Sequence, residues 1–142
     1  MLDKLTQINV LAVLVAGLVS FFLGAVWYMP LFGKLWIRLH GWSDEEVKAK
    51  QASMKPAVFF GGMIAAYLAA AFGMAFLLRV IAVPAVHWLD GALVGAVVWL
   101  IVAACTLTLH LASVKHFGLY LIDVGFYFVF LMFQGVLLTL WP

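Results

Sequence analysis

Residues 119–130 read LYLIDVGFYFVF, eleven residues suited to a hydrocarbon interior and one aspartate, Asp123. An ionised carboxylate in hydrocarbon is costly, so it needs a partner or a task. The composition of the whole chain puts this stretch in context. At 68% hydrophobic and 10% charged residues, with a mean hydropathy of +1.18, it lies far outside the range of soluble globular domains. The chain reads as an all-α integral membrane protein.

The charges divide it. Residues 5–33, 56–78, 91–114 and 124–142 carry none, and each run meets or approaches the roughly 20 residues a helix needs to cross a bilayer. They predict one domain, residues 1–142, built as a four-helix bundle with spans at about 8–29, 57–80, 91–114 and 117–141. The first run is too long for a secretory h-region and the preceding MLDK is barely basic, so a retained span is expected. Lys34, Arg38, Lys48, Lys50, Lys55 and Lys115 fall on the side of the first and third connections, against Lys4 and Arg79 on the other. That asymmetry predicts a multi-pass protein with both termini outside the cytoplasm. Trp27, Tyr28, Trp36, Trp42, Trp88, Tyr120 and Trp141 sit near the predicted span ends, as in an interfacial aromatic belt. The net charge of +2 is too small and scattered to suggest nucleic acid, and the single Cys105 allows no disulfide framework within one chain.

The cytoplasmic connection, about 30–56, is the one substantial polar segment. Pro30 is suited to open a short helix on which Leu31, Phe32, Leu35, Trp36 and Leu39 share one face and Lys34 and Arg38 another, the pattern of an amphipathic helix in the headgroup layer. Tyr28, Lys34, Trp36 and Arg38 are therefore candidate membrane-interface residues, meeting lipid headgroups or, alternatively, drawing in an anionic substrate. Ser43-Asp44-Glu45-Glu46 fits a capping box at the start of a second helix. Farther on, Arg79, Pro84, His87, Trp88 and Asp90 form a structural connector in which Asp90 is placed to cap span three.

Small residues mark the helix contacts. Gly61, Ala65, Ala69 and Gly73 recur every four positions, Gly62, Ala66 and Ala70 run parallel to them, and Gly91 with Gly95 repeats the spacing. Such rows either seal the bundle or join subunits, so the expected partners are the lipid bilayer and a second copy of the chain or a larger membrane complex.

The remaining polar residues form two stripes. His116, Tyr120, Asp123, Tyr127 and Gln134 lie along one face of span four, and Trp99, Thr106, His110 and Ser113 along one face of span three. A hairpin folded between His116 and Phe117 would pair Ser113 with Tyr120, His110 with Asp123, Thr106 with Tyr127 and Trp99 with Gln134. Span one adds Asn9, Ser20 and Trp27, roughly in line. The expected centre is thus Asp123 held by His110, with Tyr120, Tyr127, Thr106, Ser113 and Trp27 as seam or ligand-binding candidates. The competing reading places Asp123 in the first turn of span four, near water, where free amides favour a carboxylate.

No metalloprotease, phosphate-loop or nucleophile motif is present, so no catalytic residue, cofactor or metal site is assigned. A metal held by His110, Asp123 and a second subunit stays open as an alternative. The segment INVLAVLVAGLVSFFLGAVWYMPLFGKLWIRLHGWSDEEV, with its WYMPLFGKLW core, and the closing LIDVGFYF to GVLLTLW resemble the bacterial membrane-protein family known as domain of unknown function 1761. The resemblance covers nearly the whole chain and implies a four-span inner-membrane protein. It supplies no activity, ligand or catalytic residue. Two classes of function follow: a non-enzymatic bundle or accessory subunit with a polar seam, or a solute or proton transporter or membrane enzyme working through His110 and Asp123.

Overall fold

The computed structural model describes residues 2–81 and 87–142, and among these every regular element is helical. After a short 3-10 turn at Leu2–Gln7 come α1 (Val10–Val26), a π-helical turn (Trp27–Leu31), α2 (Gly33–His40), α3 (Asp44–Ser53), α4 (Pro56–Ile81), α5 (Trp88–Ala112) and α6 (Phe117–Leu140). Four helices are long and apolar enough to cross a membrane: α1 with its π turn, α4, α5 and α6. Pro84 falls outside the described residues.

α6 is the axis of the structure. It touches each of the other three long helices, whereas α5 leans almost wholly on α6. The three polar residues in line on and beside α1 all meet α6 or the residues just after it: Asn9 Nδ2 donates to Pro142 O at 3.2 Å, Gln134 Nε2 to Ser20 Oγ at 3.0 Å, and Trp27 Nε1 to Ile122 O at 3.1 Å. This order fixes α1 and α6 as antiparallel. Phe126, 1% exposed, is the joint where α1, α4 and α6 meet, with its ring 5.4 Å from Tyr28, 6.0 Å from Tyr67 and 5.3 Å from Phe130. Lipid tails are as apolar as these side chains, so close fit and hydrogen bonds hold the helices together more than hydrophobic burial does.

Glycine sets two of the contacts. A Cβ on Gly91 would strike the Gly135 carbonyl and one on Gly95 would come within 2.6 Å of Leu131 O, so α5 and α6 touch backbone to backbone. Gly17 on α1 admits Leu68 of α4. The Gly61–Gly73 row does not serve here: Cβ atoms built at Gly61, Gly62 and Gly73 meet nothing within 4 Å.

Several local expectations change. Pro30 lies inside the π turn instead of opening a helix. It has no N–H for the regular ladder, and the Phe32 amide reaches back five residues to Trp27 O at 2.9 Å. α2 begins only at Gly33, where a side chain would collide with Tyr28 O. His87, not Asp90, caps α5, its Nδ1 accepting from Leu89 N, and Asp90 sits in the first turn. The capping box at Ser43 and Glu46 is present, with both hydrogen bonds formed at 2.8 and 3.2 Å.

Candidate functional site

At the end of the molecule where α5 closes and α6 opens, the chain reverses at Ser113–His116, with Val114 in the left-handed region at φ 52°. The turn falls earlier than the sequence spacing suggests, and the closest approach of the two helices is at Gly91, Gly95 and Gly135. The register therefore shifts along α6 by about two helical turns from the expected ladder. Trp99 does not meet Gln134; its indole donates to Val124 O at 2.9 Å. Ser113 is not opposite Tyr120, whose hydroxyl donates to Ala103 O at 2.9 Å. Gln134 turns away to α1 and α4, donating to Ser20 and to Tyr67 O. His116 leaves the stripe to cap α6, accepting from Gly118 N at 3.0 Å.

The shift separates the pair expected at the centre. The partner of Asp123 is Tyr28, whose hydroxyl donates to Oδ1 at 2.7 Å, while His110 Nε2 is buried and has no hydrogen-bond partner. Asp123 stands at the seventh residue of α6, about 9 Å along the helix from Phe117. It is past the first turn, so free helix amides do not account for it.

His110 and Asp123 still share a space. A partly open cleft of about 340 Å³ is lined by both of them and by Thr106, Ser113, Tyr120 and Tyr127. These are six of the seven seam candidates; the seventh, Trp27, is occupied by its bond to Ile122 O. The rim adds Lys115 and His40. His40 arrives because α2 folds back over the start of α6, with Leu39 packed where a Gly118 side chain would stand. Its ring lies 4.0 Å from Trp36 and 4.3 Å from Trp42, and Lys50 Nζ sits 4.5 Å above Trp42. Among the described residues no three His, Cys, Asp or Glu side chains are grouped to hold a metal ion.

Sequence reasoning missed two contributors. Tyr28 reads as an interfacial aromatic and His40 as part of a connection. The trace that could have found Tyr28 is its place beside Trp27, the last of the α1 residues in line. The π turn lets neighbours Trp27 and Tyr28 bond to neighbours Ile122 and Asp123, and Gly125 leaves room for the indole, 3.3 Å from where its Cβ would be.

These features define an all-helical protein with four membrane-length helices and a polar cleft at one end of the α5–α6 hairpin. Residues 11–139 match the family model described as protein of unknown function DUF1761, and the chain belongs to that family. No curated protein and no solved structure matches it.

Proposed function

We propose that this is a non-enzymatic, multi-pass protein of the inner (cytoplasmic) membrane, whose cleft binds a small polar solute at the cytoplasmic face. The observation that carries the reading is the state of Asp123. It lies about 9 Å along its helix with one protein donor, Tyr28, and it borders a cleft also lined by His110, whose Nε2 is buried and unmatched. Chemistry on a covalent intermediate has little support: the Ser113 and Thr106 hydroxyls donate to carbonyls of their own helix. Passage through the molecule is disfavoured, because beyond the cleft Trp99 and Gln134 close the seam with hydrogen bonds of their own. A solute or proton transporter, or an enzyme working through His110 and Asp123, is the lesser reading.

The orientation we propose follows the distribution of Lys and Arg. Up-and-down α1, α4, α5 and α6 gather Lys34, Arg38, Lys48, Lys50, Lys55 and Lys115 at the cleft end, which we assign to the cytoplasm, with both termini opposite. The outward Gly61, Ala65, Ala69 and Gly73 row of α4 is exposed and suits a second copy of the chain or a subunit of a larger membrane complex, side by side in the bilayer.

Native mass spectrometry from gentle detergent tests both parts. A small adduct retained by the wild type and lost in Asp123→Asn, on an oligomer that dissociates in Ala65→Leu, is the expected result. Identical adduct patterns in wild type and Asp123→Asn contradict the binding reading, and a monomer throughout contradicts the assembly.

A further inference from the structure

The hydrogen-bond inventory around the cleft has a sign. Four hydroxyl protons are already committed within the protein: Tyr28 to Asp123 Oδ1, Tyr120 to Ala103 O, Thr106 to Val102 O at 2.8 Å and Ser113 to His110 O at 2.9 Å. The Tyr127 hydroxyl, also on the lining, makes no hydrogen bond among the described residues and is the one O–H left to donate. A hydroxyl that donates inward still offers lone pairs outward. His40 Nδ1 lies 2.9 Å from Trp36 O, an acceptor, so Nδ1 carries the proton and Nε2 of the neutral ring is a lone pair. The carboxylate of Asp123 can only accept. His110 also lines the cleft, with its Nε2 buried and unmatched in the protein, and its tautomer decides whether that atom accepts or donates.

The space therefore presents mainly acceptors, with the Tyr127 hydroxyl as the one uncommitted O–H, together with one formal negative charge and the rings of Tyr120 and Tyr127. Lys115 is the one permanent positive charge on the lining; it belongs to the exposed turn, and no ion pair joins it to Asp123. An anion would face Asp123 without a matching set of donors, and a neutral amide would use its N–H groups but leave the charge unanswered. Resting on the binding reading above, we infer that the cleft takes a small organic cation with N–H donors, a primary ammonium ion seated on Asp123 against the tyrosine rings. The volume of about 340 Å³ is at the small end of ligand sites, which run from roughly 300 Å³ upward.

Saturation-transfer NMR on the full chain in detergent, with propylammonium, propionamide and propionate as probes of one shape and different charge, tests the inference. Saturable binding of propylammonium in preference to the other two, weakened at least tenfold by Asp123→Asn, is expected. The order of the three probes on the wild type is decisive even where the variant fails to fold. If propionate or propionamide binds best and Thr106→Leu abolishes that binding, the cleft is a site but its ligand is not a cation, and the inference falls alone. If no probe saturates, or binding survives both Asp123→Asn and Thr106→Leu unchanged, the cleft is not a site and both readings fall.

Discussion

At the scale of single residues, the account turns on what Asp123 is bonded to. A hydrogen bond to a charged group is worth about 1.5–3 kcal/mol when its loss leaves that group short of a partner. Tyr28→Phe should therefore lower stability in detergent by about 2 kcal/mol. In a double-mutant cycle with Asp123→Asn, measured by denaturant unfolding, the two effects should fall short of additive, whereas His110→Ala and Asp123→Asn should add. Outside the spans, Glu46 makes a pH prediction. The Ser43 backbone amide, then the Ser43 hydroxyl, and Lys50 hold its carboxyl below the ordinary value of 4.5. A depressed folded value means the cap contributes fully above the unfolded value and is lost as pH falls through the lower folded one. Carboxyl NMR of Glu46 should show that low midpoint, and Ser43→Gly, which removes the hydroxyl but keeps the backbone amide, should return it part of the way toward 4.5. Asp123 itself was legible in the sequence as the lone charge in an apolar run. Its partner was not, because regular helical spacing gives no sign that a π turn at Pro30 will swing Tyr28 onto α6.

At the scale of elements, two contacts are exposed to test. α5 is held to α6 through Gly91, Gly95 and Gly135, where no side chain has room. Gly91→Leu should detach α5 while α1, α4 and α6 stay packed, seen as rapid hydrogen exchange confined to α5; uniform exchange across all four helices would contradict this. Val114 is 91% exposed and β-branched, at φ 52° in the turn that follows α5. Left-handed backbone costs such a residue about 1–2 kcal/mol, so Val114→Asn should raise stability by about 1 kcal/mol in the same unfolding assay. The helices were readable because bilayer thickness dictates the length of each apolar run. The facing of the stripes was readable as well, since Thr106, His110, Tyr120, Asp123 and Tyr127 do meet around one space. Their register was not: it depends on where glycines let two backbones touch, a tertiary fact that spacing along one helix does not contain.

At the scale of the whole molecule, structure and chemistry segregate along one axis. Away from the cleft the seam is locked by Asn9, Ser20, Gln134 and Trp99, each bonded within the chain. The other end, beneath α2 and the basic connection, leaves Asp123 and His110 facing a cleft. Composition revealed the solvent this chain lives in, but not the folding back of α2 that brings His40 to the rim. Whether that cleft opens to water on the basic side can be read directly by cysteine labelling in a Cys105→Ser background, with a charged, membrane-impermeant thiol reagent applied from the side of residues 30–56. Thr106 lines the cleft, and Thr108, two positions along the same helix, is exposed on the outer surface. Thr106→Cys should react at least tenfold faster than Thr108→Cys; equal rates, or the reverse order, would contradict the account.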